Sequence, residues 1–175
     1  YILFMGDNGI VDSWTSIGGD SGSNAEFDGD FGGSIATGDL NNDGVTDLLV
    51  GAPTYSETPD NRRSGAAYIV FMNENGTHQG SSRISQSTGI SINADDRFGT
   101  SVAVIGDVNG DDVNYIAVGA PFDDTLAMNM GALFVLLLAP DGSGSVEDVS
   151  KISAGTGSGS HDPTANSGSF GLSIG

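Results

Sequence analysis

Cysteine is absent from the 175 residues, and lysine plus arginine number five against 23 acidic residues. The first absence excludes disulfide staples; it suits the cytosol, many bacterial surfaces, or an external protein stabilised by metal instead. The second leaves a formal charge of −18 and no basic face for phosphates, which excludes nucleic acid as an expected partner and favours bound cations. Long apolar runs are missing too. The most apolar stretch, Ala132 to Ala139, falls far short of the roughly 20 residues that span a bilayer and reads as a buried strand. No segment sustains a helical period, while 28 glycines and tracts such as Ala154 to Ser169 mark many turns around short strands. Tyr1 opens in mid-strand with neither a start methionine nor a signal peptide, so targeting is not legible.

What is present is a repeat. Phe31-Gly32, Gly38-Asp39-Leu40-Asn41-Asn42-Asp43-Gly44-Val45-Thr46-Asp47 and Gly51-Ala52-Pro53 return as Phe98-Gly99, Gly106-Asp107-Val108-Asn109-Gly110-Asp111 and Gly119-Ala120-Pro121. A third copy begins at Phe170-Gly171. Tyr1 to Gly9 matches Tyr68 to Gly76, and Phe134 to Gly142 fills the same place in the next copy. Fixed-period self-similarity means a repeat fold. Each unit holds four short β-rich pieces separated by Gly, Asn, Asp and Ser, which supply turns and positive φ. Strands are expected near 31–37, 46–51, 65–72 and 82–85, and again near 98–105, 114–119, 131–138 and 149–153. Partial units at both ends bring the expected count to about 11 strands.

The chemistry sits in the aspartate loop. Asp39, Asn41, Asp43 and Asp47 hold positions 1, 3, 5 and 9, with Gly44 at position 6. Oxygen-bearing side chains at alternate positions converge only if the chain bends sharply; Gly44 permits the bend, and the Val45 carbonyl can turn inward. Hard oxygen donors suit Ca²⁺ better than zinc or copper, which would call for His or Cys. The plain alternative is an acidic hairpin turn kept soluble by charge; spacing, the central Gly and the following Leu48-Leu49-Val50 favour the metal. In the second loop Asp107, Asn109 and Asp111 keep positions 1, 3 and 5, but Asp112 replaces the glycine and Tyr115 the last acid. Aspartate tolerates the left-handed conformation, so the bend is compatible with it. Occupied and unoccupied readings stand level there, with water or Asp112 as the substitute ligand in the first.

With Phe-Gly, the aspartate loop and Gly-Ala-Pro in the same order twice, nearly the whole chain resembles the FG-GAP repeat family, which builds the β-propeller of integrin α subunits. The resemblance implies an all-β fold of blades with four antiparallel strands, and calcium in the hairpin between the first and second strands. By it, Asp39, Asn41, Asp43, Val45 and Asp47 would ligate one Ca²⁺, and Asp107, Asn109, Asp111 and Val113 a second. The units would be 1–30, the last two strands of a preceding blade; 31–97 and 98–169, complete blades; and 170–175, the first strand of another. About two and a half blades do not close a propeller, which needs about four to eight. Bare edges would then need a cover. The family implies an extracellular or cell-surface setting, no enzymatic role, and adhesion to a protein or glycan. A second function stands beside it: a structural unit that joins further copies into a fibre, sheath or coat through open blade edges.

Other residues invite weaker readings. Arg62-Arg63, the basic pair between the second and third strands, is a partner-contact candidate by family habit, against solvated loop charge. Asn75-Gly76-Thr77 has the form of a glycosylation acceptor. Asp141-Gly142-Ser143-Gly144-Ser145 resembles an adhesion metal motif but aligns with the turns Asn73 to Gly76 and Gly6 to Gly9, so a hairpin turn is expected. Ser160-His161-Asp162 carries triad residue types, yet consecutive residues on an extended chain point to opposite sides, so loop composition explains it. His78 reads as an exposed turn residue, and Arg83 and Lys151 as charges that guard strand edges. Phe31, Phe98, Phe170 and Trp14 are expected to pack between blades.

Overall fold

A computed structural model describes residues 1–17, 27–124 and 130–153, and carries ten strands within them. These are β1 (Ile2–Met5), β2 (Val11–Thr15), β3 (Ser34–Gly38), β4 (Asp47–Ala52), β5 (Ala66–Met72), β6 (His78–Ile84), β7 (Ser101–Gly106), β8 (Tyr115–Ala120), β9 (Ala132–Leu138) and β10 (Val146–Ser153). A single 3₁₀ turn at Gln86–Thr88 is the sole helical piece among the described residues. The eleventh expected strand, at 170–175, and with it Phe170 and Ser160-His161-Asp162, lie outside them. Among the described residues the strands pair antiparallel with their neighbours in sequence: a β1–β2 ribbon, then β3-β4-β5-β6, then β7-β8-β9-β10, with one parallel bridge, Gly65 to Phe98, between the two four-stranded sheets. The fold is all-β, in four-stranded blades of an incomplete propeller.

Four strand starts differ from the sequence expectation. β3 and β7 start three residues after their Phe-Gly, because Gly32 (φ +97°) and Gly99 (φ +90°) turn the chain before it extends. β6 and β10 start earlier than expected, since their outer faces meet solvent and carry no apolar alternation to mark them. Burial explains the rest. β4 and β5 are covered on both faces, whereas β9 alternates buried and half-buried residues along its length. One core cluster joins the two four-stranded sheets through Leu49, Ile69, Phe98, Ile116, Phe134 and Leu136; another, around Val50, Tyr68 and Val70, faces Ile2, Ile17, Phe27 and Phe31.

The recurring words sit where the sheets meet. Within each unit the glycine of Phe-Gly donates its amide to the glycine of Gly-Ala-Pro: Gly32 to the Gly51 carbonyl at 3.1 Å, Gly99 to that of Gly119 at 3.0 Å. Across the seam, a Cβ on Gly51 would collide with the Gly99 carbonyl, and one on Gly99 with that of Ala66. Glycine is therefore required for the backbones to approach. Phe98 is wholly buried, with its ring edge-on to Phe134 at 5.2 Å. Phe31 is half-buried against Phe27 and Tyr68. Trp14 corrects its expectation: it is 62% exposed and meets Tyr1 edge-on, because it projects from the ribbon's outer face with Leu3 and Met5.

The connection between the sheets is stapled from both sides. Asp95, Arg97 and Phe98 donate their amides to the carbonyls of Arg62, Arg63 and Ser64, while the Phe122 amide reaches the Asp96 carbonyl. Asp96 itself is 1% exposed; its Oδ2 accepts the Asn93 amide at 2.7 Å and its Oδ1 has no hydrogen-bond partner among the described residues. Burial, reinforced by Asp123 and Asp124 and opposed by Asn93 and Lys151, pushes its carboxyl up to about 7.

Candidate cation-binding loops

Both aspartate loops lie at the same end of their sheets, as the hairpins β3–β4 and β7–β8. In the first, the Asp39 carboxylate accepts the amides of Asp43 (3.1 Å) and Gly44 (2.9 Å), the Asn41 oxygen also accepts Asp43 (3.1 Å), and Asp43 accepts Val45 (2.8 Å). Asn41 Nδ2 donates to Asp43 Oδ2 at 2.9 Å. Gly44 takes φ +85°, the left-handed bend that position 6 demands. The second loop repeats the pattern. Asp107 accepts Asn109, Gly110, Asp111 and Asp112, Asn109 Nδ2 donates to Asp111 Oδ2 at 2.8 Å, and Asp111 accepts Val113. Asp112 adopts φ +62°, so the bend survives the loss of glycine. The amides of Gly110, then Asp112, Asn109 and Asp111, hold the Asp107 carboxyl below the ordinary carboxylate range.

Position 9 separates the loops. Asp47 is fully buried; its Oδ2 accepts the Leu40 amide and its Oδ1 the Met72 amide, both at 3.0 Å, and clamps the loop to β5. Burial first, and the charges of Asp43 and Asp39, raise its pKa, against the two amide bonds. At Tyr115 no carboxylate exists, and the amide of Leu138, which ends β9 as Met72 ends β5, goes to the Asn114 carbonyl instead, at 3.0 Å. A register shift between Val104 and Gly106 accompanies the change.

Among the described residues no three Asp, Glu, His or Cys side chains are placed as a preformed metal cage. The donor chemistry nonetheless fits a hard divalent cation: every side-chain donor is oxygen, and each carboxylate, with about four acceptor positions, retains capacity beyond its amide bonds. Asp39, Asn41 and Asp43 are within hydrogen-bond reach of one another's groups, as are Asp107, Asn109 and Asp111. Asp47 adds a buried carboxylate held by the Leu40 and Met72 amides.

The remaining candidates separate. Arg62 and Arg63 both face Asp95, at 3.8 and 2.6 Å, in the stapled connection rather than as free charges. Asn75 is exposed in the β5–β6 turn, where its Oδ1 accepts from Thr77. Asp141 to Ser145 forms the β9–β10 turn, with Ser143 side chain and amide lowering the Asp141 pKa. His78 opens β6, exposed and edge-on to Phe27. Arg83 and Lys151 do lie on the edge strands, but they also bind inward. Arg83 reaches Glu57 at 3.5 Å over the Tyr55 ring; Lys151 reaches Asp123 at 2.5 Å over Phe134. Sequence reasoning missed these clamps on the second-to-third-strand loops. The one signal was a basic residue at equivalent places in both units.

Residues 31–70 match the family model of the FG-GAP repeat. It is similar to integrin alpha-3 of Cricetulus griseus, with 50% identity over 93 residues, 53% of this chain and 8% of that protein. Integrin alpha-6 of Homo sapiens is 40% identical over 116 residues, 62% of this chain and 9% of its own length. Integrin alpha-PS2 of Drosophila melanogaster is 38% identical over 97 residues, 53% of this chain and 7% of its own. The matched segments thus span less than a tenth of these relatives.

Proposed function

We propose that this chain is a calcium-stabilised, extracellular, non-enzymatic FG-GAP β-propeller module for adhesion, recognising a protein or glycan. The observation that supports it most is the pair of oxygen-donor hairpins, built alike on adjacent sheets, the first of them inside the matched repeat. On this reading the units are 1–30, 31–97, 98–169 and 170–175. Asp39, Asn41, Asp43 and the Val45 carbonyl would hold the first Ca²⁺ with Asp47, and Asp107, Asn109, Asp111 and the Val113 carbonyl the second. A bound ion would relieve the crowding of like charges within each loop. Arg62 and Arg63 would form part of a contact face, and Asn75 a glycan attachment point.

Melting in excess calcium and in chelator tests the reading. A ligand bound only by the folded state, at about 100 times its dissociation constant, contributes about 2.7 kcal/mol. An unchanged midpoint refutes it. A second reading, assembly of copies through blade edges, draws support from the apolar outer face of the β1–β2 ribbon, where Tyr1, Leu3, Met5 and Trp14 are all more than half exposed.

A further inference from the structure

The two loops touch, and the contacts are made by residues that break the repeat. Asn42, at position 4 of the first loop, donates from Nδ2 to the Asp112 carbonyl at 2.6 Å. Asn114, at position 8 of the second, donates from Nδ2 to the Asp39 carbonyl at 2.9 Å and to Asn42 Oδ1 at 3.3 Å. Their counterparts in the other unit are Gly110 and Thr46. The first loop supplies the asparagine at position 4 and the second the one at position 8.

We propose that the loops bind divalent cations as a positively coupled pair, with Asn42 and Asn114 as the positioning residues that carry the coupling. The proposal rests on the calcium reading of both loops. Asp112 holds the left-handed bend where its counterpart Gly44 does so freely, and the carbonyl that follows from that bend is the one Asn42 grips. Asn42 lies between Asn41 and Asp43, two first-loop donors, and the Asp39 carbonyl that receives Asn114 belongs to a third. A cation that orders Asp39, Asn41 and Asp43 therefore orders both ends of the contact. The bend of the second loop is then held before its own ion arrives. Asn114 is nearly buried and anchored, its carbonyl taking the Leu138 amide, so it transmits displacement rather than absorbing it. Linkage makes the effect reciprocal.

The test is calcium titration by calorimetry, with the Gly110 amide followed by NMR to report the second loop. Four proteins are compared: the unaltered chain, Asp43→Ala, Asn42→Gly, and Asn42→Gly with Asp43→Ala. Glycine keeps the positive φ of residue 42 while deleting its side chain, so folding is preserved; Asn114→Ala is a further variant, judged only if its circular dichroism is native. The expected result is that Asp43→Ala weakens calcium at the second loop by about fivefold or more, the low end of typical coupling. In the Asn42→Gly background the same change should alter it by less than about twofold, because coupling lost with the contact cannot be lost again. An equal effect in both backgrounds overturns the role of the asparagines. Two ions bound independently, or the second more weakly once the first is filled, overturns positive coupling while leaving the calcium reading intact. No calcium at either loop overturns both.

Discussion

Replacing Asp96 by asparagine isolates a pH dependence set by the connection between the sheets. The carboxyl is 1% exposed, and burial lifts its pKa from the ordinary 3.8 to about 7. Because the folded value lies above the unfolded one, stability is fully present below about pH 4 and is lost as pH rises to about 7, where the folded state must carry a buried charge. At about 1.4 kcal/mol per tenfold, the gap is worth about 4 kcal/mol at most, of which about 3 falls between pH 5 and pH 8. Asparagine keeps an oxygen for the Asn93 amide and never ionises. The Asp96→Asn chain should therefore gain on the unaltered one as pH rises, by roughly 2–4 °C of Tm per kcal/mol for a chain of this size. Thermal unfolding by circular dichroism at pH 5, 6.5 and 8 measures the difference. Subtracting the two chains cancels the general self-repulsion of a molecule with formal charge −18. A Tm difference that does not change with pH, or one that favours aspartate more at pH 8, would refute the reasoning.

Asp43→Ala should lower calcium stoichiometry by one site in a calorimetric titration, and Asp111→Ala should have a smaller effect, since its loop lacks the position 9 acid. Asp47→Asn should destabilise even in chelator, by about 1–3 kcal/mol in urea unfolding, because one amide at Leu40 or Met72 then faces a donor. Phe98→Ala removes a fully buried ring at the sheet seam and should cost about 3–5 kcal/mol in the same assay. If the ribbon's outer face joins copies, Trp14→Ser with Leu3→Ser should lower the mass seen by light scattering; an unchanged mass counts against assembly through that face.

Much of the architecture was legible because the repeat writes each strand twice, and because the buried strands β4, β5, β8 and β9 are apolar runs bounded by glycine and aspartate. The outer strands were read short. His78 to Ser81 and Val146 to Asp148 belong to edges, where one face meets water and no periodicity is imposed. The bend at Asp112 was legible from the tolerance of aspartate for positive φ, and the structure adopts it. Trp14 was misplaced because aromatic identity reports burial on average, not the face of a particular ribbon. The carboxylate of Asp47 fitted the ligand spacing, yet spacing says nothing of the amides of Leu40 and Met72, one of which is 25 residues away.

The same limit explains why the contact between the loops was invisible in sequence. Repeat reasoning treats a departure from the pattern as damage: Asp112 as a lost glycine, Tyr115 as a lost acid. In space the second loop is not a worn copy of the first. Its Asn114 takes with a backbone carbonyl the Leu138 amide, as the Asp47 carboxylate takes that of Met72, and sends its side chain across to Asp39. Its Asp112 presents a carbonyl to Asn42, which the first loop has and the second lacks. A repeat array that stacks unlike neighbours can thus divide a task, with each hairpin partly held by its neighbour. The deviations from the repeat mark the side on which each unit depends on the other.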